Sequence, residues 1–220
     1  MRHVRLLVLV LLAGILLTGS AFADSVSMTL LSVGGNSGGG EYTYPYNFSI
    51  NGGASTPLLC NTFDNTVIVG ETWTANVSSL LSGTGLFGNQ PLKYGAAGLI
   101  FNDILAGKID ATVGNWAIWG LFSTTAAANS YFTSSGAAAL DAKYLAMVPN
   151  ASPSAFAGLV LYSPIAGTQS WGGTPQEYIG RVSVPEPAEI SMLIALGLFS
   201  VGVLVFGKRF GLKPAIQLSR

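Results

Sequence analysis

Two long apolar runs, one at each end, decide how much of this 220-residue chain is left to fold in water. The first, Leu6 to Leu17, follows the basic residues Arg2 and Arg5 and is followed in turn by Ala21-Phe22-Ala23. A basic start, a short apolar stretch and a small-x-small triplet make a secretory signal peptide, residues 1–23, with signal peptidase expected to cut between Ala23 and Asp24. A run of a dozen residues is too short for a permanent span, which needs ~20. The second run, Ala188 to Gly207, is interrupted only by Glu189, Ser191 and Ser200. At ~1.5 Å per residue it reaches across a ~30 Å hydrocarbon core, so 188–207 reads as one transmembrane helix in membrane lipid. Lys208, Arg209 and Lys213 come directly after it. By the positive-inside bias they leave residues 208–220 as a basic cytoplasmic tail and the preceding domain outside, the orientation a signal peptide also demands.

What remains, residues 24–183 with a short linker, is enough for one domain with a real core. Between Asp24 and Pro187 there are nine acids and only four bases, Lys93, Lys108, Lys143 and Arg181, leaving about five negative charges. Such a surface has no basic footprint for phosphate backbones, so nucleic acid is not an expected partner. Cys60 is the only cysteine, which excludes an intramolecular disulfide although the domain is exported. The only histidine, His3, lies in the signal peptide. The exported part therefore has no Ser-His-Asp or Cys-His arrangement and no histidine-based zinc site.

Composition along the domain changes twice. After the Gly-rich stretch 34–40, β-formers and turn residues predict strands near 41–50, 56–62, 65–70 and 72–77, with turns at Asn51-Gly52-Gly53 and Asp64-Asn65. Tyr94, Ala97, Phe101, Ile104 and Leu105 then fall at helical spacing, with Gly107 placed for a left-handed C-cap. Asp110 can cap a second helix carrying Val113, Trp116, Ala117, Trp119 and Phe122; Ser134 or Ser135 can open a third with Leu140, Tyr144 and Met147. Beyond Pro149, strands are expected at 156–163 and 178–184 around a loop at 164–175. The expected fold class is α+β: a β-rich domain with a two- to three-helix insert.

Val184-Pro185-Glu186-Pro187, a hydrophobic helix and then Lys208-Arg209 stand in a fixed order at the C-terminus. This order resembles the PEP-CTERM sorting signal of Gram-negative bacteria and covers about the last thirty-five residues; the tail to Arg220 is longer than such signals usually show. The resemblance implies export, recognition by an exosortase-type processing enzyme near the motif, and association with the envelope, the extracellular matrix and exopolysaccharide. Physically, two prolines hold the tetrapeptide extended at the membrane face, the shape a protease cleft accepts.

Asn115-Trp116-Ala117-Ile118-Trp119, with Cys60 upstream, resembles a degenerate form of the thioester domain of surface adhesins. In that family a cysteine of the β-rich part bonds to the glutamine of a Gln-x-Ala-Ile-Trp helix, and the bond captures amines. Asn115 stands where the glutamine would be. It is one methylene shorter, which moves its carbonyl carbon about 1.5 Å further from a thiol. The resemblance thus marks Cys60 and Asn115 as a degenerate thioester pair.

Other constellations lead to plainer roles. Trp116 and Trp119 are three apart on one helix face and are expected to pack it on the strands, with Trp73 and Trp171 as further sugar-stacking surfaces if exposed. The acids are scattered and read as solvated. Asn61, Asp64 and Asn65 are too few oxygens for calcium and read as turn residues. Lys108 and Lys143 read as isolated surface bases. No cofactor, metal or catalytic residue is expected. The leading expectation is a non-catalytic exported surface or matrix protein serving adhesion or exopolysaccharide association; the alternative is a reactive domain that captures amine-bearing partners through Cys60.

Overall fold

The computed structural model describes residues 25–171 and 174–182, all within one compact unit that ends at Val182. The signal peptide, the Val184–Pro187 motif, the 188–207 helix and the basic tail lie outside the described residues. Among the described residues no helix is long and apolar enough to cross a membrane.

Six strands close into an antiparallel barrel in the order β1-β4-β5-β8-β7-β6. They are β1 (Ser25–Val33), β4 (Tyr46–Ile50), β5 (Ser55–Cys60), β6 (Thr72–Ser79), β7 (Leu159–Pro164) and β8 (Tyr178–Arg181). A two-stranded hairpin, β2 (Ser37–Gly38) and β3 (Glu41–Tyr42), stands between β1 and β4. β1 has a period of two: Val26, Met28 and Leu30 are buried while Ser25 and Ser27 are exposed. That alternation points one row of side chains into the barrel. There they meet an aromatic cluster in which Phe48 lies 4.6 Å from Tyr178 and 5.5 Å from Trp73 between ring centroids. β7 is different, because Leu159, Val160, Leu161, Tyr162 and Ser163 are all buried. A strand covered on both faces needs a second layer, and the helices supply it.

That layer contains α1 (Pro91–Leu105), α2 (Ala111–Phe122) and α5 (Ala137–Met147), with two short helices between them, α3 (Thr124–Ala128) and α4 (Ser130–Ser134). Asp110 caps α2 as expected, accepting hydrogen bonds from Thr112 N at 2.9 Å and Val113 N at 3.0 Å. Gly107, at φ +67°, takes the left-handed position after α1. α1 packs closely on the barrel at Gly98, where a Cβ would stand 2.4 Å from the Leu80 side chain and 3.1 Å from Leu159.

Several expectations are corrected. The insert holds five helices rather than two or three, since Ser123 and Asn129 each cap a single short turn. α5 is opened by Gly136 at φ +89°, not by Ser134 or Ser135. Residues 65–70 form a loop instead of a strand: Glu71 turns back on it, taking Ile68 N onto Oε2 at 3.1 Å and giving its own N–H to Ile68 O. β1 was not anticipated, and the last strand stops at Arg181.

Asp141 of α5 is a half-buried acid facing α2, where a Cβ on Gly120 would lie 3.0 Å from its Oδ2. Burial pushes its carboxyl up to about 7 from 3.8, against the weaker opposing pull of Lys93. The folded value is above the unfolded one, so the stability this group contributes is complete below about pH 4 and is lost as pH rises through about 7. Asp141→Asn is expected to match the parent's urea midpoint near pH 4 and to exceed it near pH 8. A difference between the two proteins that does not change with pH would contradict this assignment.

Candidate functional site

Strand directions fix which loops share an end of the barrel. β1 starts beside the end of β6, Ser25 pairing with Asn76, and β8 ends beside the start of β7, Arg181 pairing with Leu159. Both ends of the described unit therefore leave from one rim. The opposite rim carries Val33, Tyr46, Cys60, Thr72, Pro164 and Tyr178, together with the β2–β3 hairpin, the loop 61–71 and the described residues of the segment between β7 and β8, 165–171 and 174–177.

α2 is tied to this second rim through its polar side chains. Asn115, fully buried, donates from Nδ2 to the Cys60 carbonyl at 2.9 Å and accepts Tyr44 N on Oδ1 at 2.9 Å. One amide thus joins α2 to β5 and to the segment that follows the hairpin. Thr112 Oγ1 meets Thr43 Oγ1 at 3.1 Å, and Trp116 Nε1 donates to Gly38 O at 2.9 Å. The Gly-rich stretch has a geometric cause here: Gly39 sits at φ +63°, and a Cβ on it would lie 2.6 Å from the Trp116 ring.

The structure therefore brings the two sequence-selected residues, Cys60 and Asn115, together. The Cys60 thiol is fully buried and donates to Thr62 O at 3.1 Å. Burial, with a smaller contribution from the Glu177 carboxylate, pushes it up to about 12, while the Thr62 backbone and Trp119 indole pull weakly the other way. The Trp119 N–H acts on the sulfur without reaching hydrogen-bond geometry, and it has no other partner. Burial and the upward shift both disfavour the thiolate at neutral pH, and the Asn115 amide, held through its nitrogen and its oxygen, meets the Cys60 backbone. Trp116 and Trp119 are buried as expected and form a triangle of rings with Phe63, each pair 5.3 Å apart between centroids. Trp73 is buried inside the barrel; Trp171 is 47% exposed.

Above these rings the mouth opens into a cleft of about 240 Å³. Glu41, Tyr42 and Tyr46 line it from the hairpin and β4; Phe63, Asn65, Thr66 and Val67 from the 61–71 loop; Trp119 from α2; Gln176 from the loop before β8. Among the sequence-selected residues, Asn65 belongs to this cleft, whereas Asp64 does not.

One residue that sequence reasoning missed is Glu177, read as a solvated acid and found fully buried. Its Oε1 accepts from Asn61 Nδ2 at 2.7 Å and Tyr94 Oη at 2.9 Å; its Oε2 accepts from Leu86 N at 2.5 Å and from Ser163 Oγ. Asn61 is thus a core partner rather than a turn residue. Glu71, also read as solvated, is 2% exposed. Lys108 is not isolated, since it pairs with Asp103 at 2.9 Å. Lys143 lies 5.0 Å over the Tyr144 ring.

The comparisons with known proteins add little to this geometry. No family model and no curated protein matches the chain. Among solved structures, the N-terminal thioester domain of a surface protein from Clostridium perfringens is similar at 12% identity and a TM-score of 0.38, over 73% of this chain and 99% of that one. A likeness at that level assigns neither fold nor chemistry to this chain, and both rest on the geometry above.

Proposed function

We propose that this chain is a non-catalytic exported surface or matrix protein whose domain binds a partner non-covalently at the barrel mouth. The observation that carries the reading is the cleft of about 240 Å³ at the rim opposite the one from which both ends of the domain leave. Concave, aromatic-lined sites are where proteins commonly take ligands. Export and sorting through the Val184–Pro187 signal and the 188–207 anchor supply the localisation. Processing by an exosortase-type enzyme, and association with envelope or exopolysaccharide, are what that signal adds.

The reactive alternative, amine capture through Cys60, is disfavoured by the burial and protonation of the thiol and by the two hydrogen bonds that occupy Asn115. The mouth is tested by filling it. Thr66 is exposed on the cleft wall, so Thr66→Trp should fill the mouth without loss of folding. The full chain carrying this change is expected to reach the surface normally but to lose its binding to washed host cells and matrix. Unchanged binding, or a wild-type chain found only in the cytoplasmic fraction, would refute the proposal.

A further inference from the structure

We propose that the mouth cleft recognises a guanidinium group, an arginine side chain presented by a partner protein. This rests on the reading of the mouth as the binding face and adds the chemistry of its ligand. Asn65 spends Nδ2 on Pro175 O at 3.0 Å, Gln176 spends Nε2 on Asn65 O at 2.6 Å, and Tyr46 spends its hydroxyl proton on Tyr42 O at 2.5 Å. Gln176 Oε1 already takes the Tyr178 hydroxyl at 2.7 Å. Each amide nitrogen keeps its second N–H, and beside it these side chains offer acceptor capacity at Asn65 Oδ1, the remaining lone pair of Gln176 Oε1 and the Glu41 carboxylate.

Among the described residues of the lining, Glu41 is the only charged one, with no lysine, arginine or histidine beside it. The other walls are aromatic, from Tyr42, Tyr46, Phe63 and Trp119. Acceptors, one carboxylate and ring faces together select a cation that is also rich in N–H donors. The acceptors come from separate segments, Glu41 from the hairpin and Asn65 and Gln176 from the two loops. A planar fork of five N–H donors can meet several acceptors and stack on a ring at the same time; a compact, strongly hydrated ammonium does neither as well. The volume agrees, since a cleft of about 240 Å³ is below the ~300 Å³ of ordinary small-molecule pockets and suits one side-chain head group. The domain's excess of acids over bases, eight against four in residues 24–183, favours the approach of a basic partner.

The test uses the full-length chain in detergent micelles and follows the Trp119 indole resonance by NMR. The probes are N-acetyl-arginine amide, its neutral isostere N-acetyl-citrulline amide and N-acetyl-lysine amide. The arginine probe is expected to give a saturable shift with a millimolar dissociation constant, weakened about tenfold by Glu41→Gln, with the citrulline probe silent and the lysine probe clearly weaker. Citrulline binding as tightly as arginine, lysine binding as tightly as arginine, an affinity indifferent to Glu41→Gln, or no shift at all would each overturn the assignment. None of these outcomes touches the mouth reading itself, which Thr66→Trp tests separately.

Discussion

Glu177→Ala is expected to destabilise the domain by about 3–5 kcal/mol, because it takes away the shared acceptor of four donors gathered on a fully buried carboxylate. The donors come from four separate elements: Asn61 after β5, Ser163 on β7, Tyr94 on α1 and Leu86 in the loop between β6 and α1. Their common target is the point where helical layer and barrel are joined, and an apolar replacement leaves a cavity as well as unpaired groups. For a domain of this size the loss corresponds to a fall in Tm of roughly 10 °C. Glu177→Gln keeps the volume, but its amide nitrogen must face two of the donors, so about 2 kcal/mol should still be lost. Exposed Glu41 supplies the control, with no change in Tm expected for Glu41→Gln. Circular-dichroism melts of the three variants check the order. A Glu177→Ala protein that melts with the parent would show that the carboxylate is not the node described.

The second large effect is expected at Asn115. Asn115→Ala removes the bridge between α2, β5 and the Tyr44 segment and leaves the Cys60 carbonyl and the Tyr44 N–H unpaired. A loss of about 2–4 kcal/mol follows from two orphaned groups and a small cavity. The same change should expose the thiol. In the parent, Cys60 at 0% exposure and pushed up to about 12 is expected to resist iodoacetamide at neutral pH until the domain unfolds. In Asn115→Ala, alkylation should proceed faster under the same native conditions, because α2 no longer closes the barrel mouth. Equal alkylation rates for the two proteins would mean that the helix is held by its apolar contacts alone.

How far the sequence could be read depended on whether a residue's role was local. Asp110 and Gly107 act on neighbours two or three positions away, so the α2 cap and the left-handed turn after α1 were both legible. Cys60 and Asn115 were picked out by resemblance, and the helix brings them into contact 55 residues apart. Glu177 gave no such signal. Its partners lie 14 to 116 residues away in sequence, so nothing near position 177 distinguishes it from a surface acid. The 65–70 segment misled for the opposite reason. Thr66, Val67, Ile68 and Val69 have strand propensity, but Ile68 and Val69 are about half exposed and Glu71 diverts the chain into a turn. The missed β1 did carry a signal, the alternation of Val26, Met28 and Leu30, overshadowed by its place beside the signal peptide.

The intact mass of the protein isolated from its native host tests whether this is an exported binding domain with an intact thiol. Closure of a thioester between Cys60 and a side-chain amide would form an S–C bond, break the C–N bond and release one ammonia, so a single spectrum reports both ends of the chain and the state of the thiol. The prediction is a chain that begins at Asp24, ends near Pro187 and retains the full mass of its free cysteine and asparagine. A chain beginning at Met1 would contradict export, one running to Arg220 would contradict processing at the Val184–Pro187 motif, and a mass short by one ammonia would contradict the inert thiol.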